Sequence, residues 1–314
     1  MTQSTWSVSE PQKLSFEEPV AELSVRVVNG AVNVVGAEPA DPGGPDGTGP
    51  GTARLEVSQV AGPPLRVTLA DGVLTVAYED LPWTSFKNWF DRDGWQRTAV
   101  VSLAVPAGTR VQVGAVAAST VVSGISGPAE VRAVSGDVTL VGLSGQVRAE
   151  TVTGAIEAQS VSGGLRVRSV SGEITVVDGP GAGVKAESVS GDMVLDLDPA
   201  GRPAEINVTS VSGKVAIRLP HPADARVDAN TAGGAVSTAF EDLRVSGQFG
   251  AKRITGTLGA GTGTLKATTL SGSIALLRRP EPAPGDTPAT PDAAPAPDPG
   301  LGSGLDSDLD KKVL

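Results

Sequence analysis

The chain has 314 residues, a formal net charge of −10 and no cysteine, and aromatic residues make up only 3% of it. The acidic charge argues against nucleic acid and anionic lipid as partners, because both require a basic surface. The lack of cysteine excludes disulfides and metal sites built on thiolates.

The N-terminal residues carry no recognisable targeting segment. Residues 1–19 form a lead-in without the basic and apolar stretches of a secretion signal, and no apolar run in the chain is long enough to span a bilayer. We therefore expect a cytoplasmic location and no transmembrane segment.

Residues 20–115 contain short runs that predict β-strands, with an inserted Gly-, Pro- and Asp-rich loop at residues 38–52. The Asp71-Gly72 step predicts a hairpin between two of these strands. An open end of a strand array exposes unpaired backbone groups, so we expect this region to form a β-rich cap.

An aromatic cluster lies in the same region. Five large rings lie close together in a chain that otherwise has few: Trp83, Phe86, Trp89, Phe90 and Trp95. If exposed, they would form an interaction patch for a partner; if buried, they would form a hydrophobic plug at one end of the array. Both interpretations stay open on the sequence.

A nine-residue repeat runs through the middle of the chain, and each copy carries an apolar residue, a hydroxyl residue and then a glycine. The glycines of the regular copies and of three later ones are Gly127, Gly136, Gly145, Gly154, Gly163, Gly172, Gly191, Gly213 and Gly272. Constant spacing indicates one small structural unit stacked on copies of itself. We predict that these glycines have a structural role at the corners of the array.

Within each copy, apolar and polar residues alternate as in a half-buried strand; Val138 and Leu140 are the predicted inward residues of one copy. Two architectures compete: an antiparallel meander with Ser-Gly hairpin loops, and a parallel solenoid with Ser-Gly corners. The ninth position is also apolar, as at Val152, and it is out of phase with a straight strand. This favours a bend that turns the ninth residue inward, at a corner where glycine adopts positive φ.

We therefore predict an all-β fold, a parallel β-solenoid or β-helix-like array. Two repeats would make a coil of about 18 residues, with coils about 4.8 Å apart. The predicted solenoid covers residues 116–279. Residues 280–314 are rich in Pro, Ala and Asp and predict a disordered tail.

No motif in the sequence indicates catalysis or a cofactor. Acidic residues follow the corner glycine at Asp137, Glu173 and Asp192, but the paired glycines of calcium-binding nonapeptide arrays are missing. We interpret these carboxylates as solvated corner charges, and we expect no catalytic, cofactor-binding or metal-binding residue.

The repeated Val-Ser-Gly-Asp/Glu pattern, the early Val28-Asn29-Gly30 and the late Leu219-Pro220 resemble a bacterial family of β-strand-repeat proteins. This is the "putative adhesin" family, a group of unknown function. The resemblance covers about residues 20–279 and implies a β-solenoid with no established enzymatic activity.

Three hypotheses about function follow. The first is a non-enzymatic binding or scaffold module with an unknown protein or glycan partner. The second is a cytoplasmic scaffold that assembles with itself, end to end. The third is a carbohydrate-active enzyme on a β-helix, which would require clustered carboxylates that the sequence does not show.

Overall fold

The computed structural model describes residues 3–37, 52–78, 97–179, 183–198, 205–220, 222–248 and 250–279. These residues belong to one compact unit, Met1–Pro280. The predicted tail, the aromatic cluster and nearly all of the loop at residues 38–52 lie outside the described residues. In the described ranges no helix has the length and apolar character that a bilayer crossing demands.

The described residues form 24 β-strands. The first eight are β1 (Gln3–Val8), β2 (Gln12–Phe16), β3 (Glu22–Ala37), β4 (Ala53–Ala61), β5 (Leu65–Ala70), β6 (Val73–Tyr78), β7 (Thr98–Pro106) and β8 (Arg110–Ser123). The next ten are β9 (Ala129–Ala133), β10 (Val138–Val141), β11 (Val147–Thr151), β12 (Ile156–Gln159), β13 (Leu165–Ser169), β14 (Ile174–Gly179), β15 (Val184–Ser188), β16 (Met193–Leu197), β17 (Glu205–Ser210) and β18 (Val215–Leu219). The last six are β19 (Ala225–Thr231), β20 (Val236–Thr238), β21 (Leu243–Gln248), β22 (Ala251–Leu258), β23 (Thr264–Thr269) and β24 (Ile274–Arg278).

The central strands stack in parallel, which confirms the predicted solenoid. Val138 pairs with Ile156, and Ile156 pairs with Ile174, so the register advances by two nine-residue repeats per coil. Odd-numbered strands β9 to β17 form one sheet, sheet 1, and even-numbered strands β10 to β18 form the other, sheet 2. Each coil therefore contributes one strand to each sheet.

The core lies between the two sheets. Val138 and Leu140 of one coil are at most 1% exposed, and Leu165 and Val167 of the opposite sheet are equally buried. Small and β-branched side chains fill this narrow interior, and burying each one contributes about 1.5–3 kcal/mol. The inward positions of the strands are those that the alternating pattern predicts.

Two kinds of corner alternate around each coil. Where the chain passes from sheet 2 to sheet 1, a residue with positive φ, such as Gly142 (φ 62°) or Ser160 (φ 52°), precedes the ninth residue. The left-handed conformation turns that ninth residue into the core, and Leu143 and Val161 are accordingly buried. We call this the left-handed corner.

The corner from sheet 1 to sheet 2 is built differently, and we call it the hydroxyl corner. Its eighth residue is a hydroxyl that faces inward; Thr151 Oγ1 accepts the N–H of Gly154 at 3.1 Å. The ninth residue then faces solvent, and Val152 is 41% exposed. The prediction that every ninth residue faces inward is therefore wrong at this corner, because the hydroxyl occupies the inward position.

None of the nine corner glycines adopts positive φ, so that expectation was also wrong. They are glycines for another reason. A Cβ built on Gly163 would overlap the carbonyl oxygen of Gly145 one coil earlier, and a Cβ on Gly154 would overlap that of Gly136. Consecutive coils bring their backbones into contact at the corners, and a side chain there would separate the coils.

The order of coils in space differs from the order in sequence at both ends. β3 lies between β8 on one side and β6 and β7 on the other, so a strand early in the sequence lies inside the array. At the opposite end, β23 lies between β17 and β19. After β17 the chain first forms the outermost coil, which contains β19. The later strand β23 then fills the position between β17 and β19.

Antiparallel strands close both ends, as the predicted cap requires. β5 and β1 extend sheet 1 beyond β6, and β4 and β2 extend sheet 2 beyond β7. β22 and β21 extend sheet 1 at the other end. The predicted hairpin at Asp71-Gly72 is confirmed, since it joins β5 and β6 with positive φ at both residues.

Aromatic rings accompany these caps. Trp6 of β1 and Phe16 of β2 meet edge to face, with centroids 5.2 Å apart, and join the outermost strands of the two sheets. At the other end Phe240 is buried, with the guanidinium of Arg278 over its ring. The domain divisions at residues 19, 115 and 279 stay predictions.

Candidate functional site

An exposed apolar ridge runs along the solenoid. It consists of the ninth residues of five successive hydroxyl corners, which are 41–61% exposed: Val152, Val170, Val189, Val211 and Leu270. We call this set the valine ridge. At about 4.8 Å per coil it is roughly 19 Å long.

Hydrogen bonds hold the ridge side chains outside the core. The N–H and the hydroxyl of Ser171 both donate to the carbonyl of Val152 one coil earlier, at 2.8 and 3.1 Å. Ser190 repeats the arrangement on the carbonyl of Val170. These hydrogen bonds fix the backbone around each ridge residue, so its side chain stays on the outer surface.

A charged face lies on one side of the ridge. The outward side chains of β9, β11, β13 and β15 form a network of ion pairs, whose members are Glu130, Arg132, Arg148, Glu150, Arg166, Arg168, Lys185 and Glu187. Arg148 binds Glu150 at 2.6 Å, and Lys185 binds Glu187 at 2.7 Å. Five cations meet three carboxylates, so this face carries a formal charge of +2 on a chain of net charge −10. We call it the basic face.

Glu187 shows the electrostatic character of this face. Its partial burial alone would raise the pKa of the carboxyl group. Hydrogen bonds from Lys185 and Arg168 outweigh the burial, and the pKa is lowered overall. Glu187 is thus held as a carboxylate by its cationic neighbours.

A groove separates the basic face from the valine ridge. One part, of about 690 Å³ and open to solvent, lies between the charged side chains of the central coils and Val152, Val170 and Val189. A second part, of about 850 Å³, continues along β23 and β19 and is bounded by the β21–β22 hairpin. Inward hydroxyls such as Thr151 form the floor of both parts.

Acidic side chains lie on the opposite side of the ridge, at the start of the sheet 2 strands. They are exposed, and they comprise Asp137, Glu157, Glu173 and Asp192. Asp137 accepts the N–H of Ala155 at 2.9 Å, and Asp192 accepts the N–H of Lys214 at 2.8 Å. We call this set the acidic edge. The valine ridge therefore separates a basic surface from an acidic one.

Three members of the acidic edge, Asp137, Glu173 and Asp192, are the carboxylates that the sequence analysis interprets as solvated corner charges. These carboxylates occupy separate coils, and two of them bind backbone N–H groups. Among the described residues no three His, Cys, Asp or Glu side chains converge as metal ligands do.

The candidate interaction patch at Trp83, Phe86, Trp89, Phe90 and Trp95 lies outside the described residues. The corner glycines lie beside the ridge and the groove, and a structural role for them stays a proposal. The valine ridge itself was not predicted. Its signal is the eighth residue, which is Ser or Thr at every ridge corner but Gly at two of the left-handed corners, Gly124 and Gly142. At the third left-handed corner the eighth residue is Ser160, and the sequence alone does not distinguish it from Ser169, the eighth residue of a ridge corner.

The repeated part of the chain matches a family of known proteins. Residues 129–277 match the family described as Toastrack DUF4097. Among solved structures, the crystal structure of a "putative cell adhesion protein" from Clostridium sporogenes ATCC 15579 aligns with 86% of this chain and 100% of its own, at 9% identity and a TM-score of 0.25. No curated protein is significantly similar to the chain.

Proposed function

We propose that the chain is a non-enzymatic binding or scaffold module; its residues 129–277 match a domain family of unknown function, Toastrack DUF4097. Its contact surface is the groove together with the valine ridge. The observation that supports this is the ridge. Five large apolar side chains lie exposed in one line, although the residues that directly precede them in the chain are buried. Contiguous exposed apolar patches mark interaction sites.

The chemistry of the surface favours a protein partner over a glycan. The groove is lined by aliphatic, hydroxyl, arginine and glutamate side chains, and in its described lining there is no aromatic ring. Arginine beside an apolar strip is typical of protein interfaces.

The same surface argues against the glycosidase alternative. A general acid in a glycosidase needs a carboxyl group with a raised pKa. Glu187 has a lowered pKa, and Glu150 is bound by Arg148 and Arg168. The carboxylates of the groove are therefore committed to ion pairs.

Site-specific photo-crosslinking in the expressing cell tests the proposal. A photoreactive residue at Val170, in the ridge, should yield a crosslinked protein adduct whose mass is read by mass spectrometry. The matched control is Val35, which is similarly exposed, at 40%, but lies on β3, several coils away from the ridge. Equal adducts at both positions, or none at Val170, would contradict the proposal. The cytoplasmic location stays a prediction.

A further inference from the structure

We propose that the partner of the valine ridge and groove is a second copy of this chain, bound side by side around a two-fold axis parallel to the stacking direction. This inference rests on the proposed function and names its partner. It follows from the order of four features across one surface: basic face, groove, ridge and acidic edge.

The shapes of the surface are self-complementary. The groove runs beside the ridge over the same coils, and both repeat with the same spacing because both arise from the same corners. When two copies face each other across a two-fold axis that runs midway between groove and ridge, the ridge of each copy enters the groove of the other. A two-fold interface uses the same patch on both subunits, which this arrangement satisfies.

The charges select the same arrangement. With the axis parallel to the stack, the acidic edge of each copy lies over the basic face of the other, at both sides of the ridge. In the four coils concerned the basic face carries +2 and the acidic edge carries four carboxylates. If the axis were perpendicular to the stack, ridge would meet ridge and like charges would face each other, which is unfavourable.

The two-fold arrangement also sets the size of the assembly. Each copy uses its groove and ridge on the single partner, so the contact closes at a dimer. End-to-end assembly, in contrast, would continue with increasing concentration.

Charge reversal on purified full-length chain tests the dimer, with sedimentation velocity as the readout from about 1 to about 100 µM. The first variant, Arg148→Glu with Arg166→Glu, makes both flanks of the ridge acidic. The second, Glu157→Arg with Glu173→Arg and Asp192→Arg, takes the acidic edge from −4 to +2 and so makes both flanks basic. Each variant alone should be monomeric, with a dimer dissociation constant raised at least about tenfold over that of the unaltered chain.

An equimolar mixture of the two variants should restore the dimer, because each acidic flank then meets a basic one. Rescue by mixing cannot be produced by a misfolded variant. A further pair of variants tests the apolar contact: Val170→Ser should weaken the dimer, while Val35→Ser, at a 40% exposed position of β3 away from the ridge and both charged surfaces, should leave it unchanged. The proposal is overturned if the unaltered chain stays monomeric throughout, if it grows beyond a dimer, or if the mixture does not associate.

Failure of this inference is distinguishable from failure of the proposed function. A chain that is monomeric when purified but gives a Val170 adduct with a different protein in cells refutes the dimer and retains the binding module. A chain with neither a dimer nor an adduct refutes both.

Discussion

At the residue scale, the corner glycines lie where consecutive coils bring their backbones together. The repeat predicts a structural role for them, but it does not predict this contact. The sequence suggested conformational freedom, whereas the structure shows close approach: the position of a Cβ on Gly163 coincides with backbone of the preceding coil. Contacts between coils are long-range, so no local pattern reveals them.

We expect Gly163→Ala to destabilise the chain by about 1–3 kcal/mol, because the added methyl group forces two coils apart. Gly108→Ala is the matched control, since a Cβ there meets nothing within 4 Å and the residue does not have positive φ. The control should change stability by less than about 0.5 kcal/mol. Urea unfolding of both variants measures the difference, and equal effects would contradict the assignment.

The conformation of the eighth and ninth residues of each repeat is also not revealed by the local sequence. Thr151 and Ser160 are both hydroxyl residues at the eighth position, yet one faces inward with ordinary φ and the other has φ 52°. Because of this difference, Val152 is exposed and Val161 is buried. The nine-residue repeat and the coil of 18 residues were both predicted from the sequence, but the difference between the two corners of each coil was not.

At the element scale, the basic face depends on ion pairs between neighbouring coils. Arg168 of β13 reaches Glu187 of β15 and Glu150 of β11, so one side chain joins three coils. The alternating charges were predictable as an outward face. Their pairing was not, because it requires the register between strands.

Glu187 gives this face a pH dependence. Its pKa is lowered in the folded state, so its contribution to stability is complete above the ordinary carboxyl pKa of about 4.3 and is lost as the pH falls through the lower, folded value. The stability difference between the unaltered chain and Glu187→Gln should therefore shrink as the pH is lowered from 7 into that range.

Urea unfolding at a series of pH values measures this difference. Glu173→Gln provides the control, because Glu173 makes no ion pair with any residue that the structure describes. A Glu187→Gln difference that stays constant or grows on acidification would contradict the account.

At the scale of the whole molecule, the ends of the array depart most from the sequence-based prediction. The stacked repeats between residues 129 and 197 follow one another in order, as a simple solenoid requires. The insertion of β3 and β23 between coils formed by other parts of the chain has no sequence signature. In the sequence both segments resemble the other strands. Only their pairing with strands tens of residues away shows their position in the stack.

This order predicts the pattern of amide hydrogen exchange. β23 lies close to the end of the described chain but is paired on both sides, with β17 and β19, whereas β21 pairs with β22 alone among the described strands. Amides of β23 should therefore exchange more slowly than those of β21. Exchange in β23 as fast as in β21 would contradict the insertion.

The stacking of coils is tested most directly by engineered disulfides, because the chain has no cysteine of its own. Glu157 and Thr175 are partners in adjacent coils, 18 residues apart. At a spacing of about 4.8 Å their Cα atoms lie within disulfide range, so Glu157→Cys with Thr175→Cys should form an intramolecular disulfide on mild oxidation. A hairpin turning at Ser162-Gly163 would instead place Glu157 opposite Arg168, which in the solenoid belongs to the other sheet. Rapid closure of the 157–175 pair and none of the 157–168 pair is the predicted result, and the reverse would contradict the solenoid.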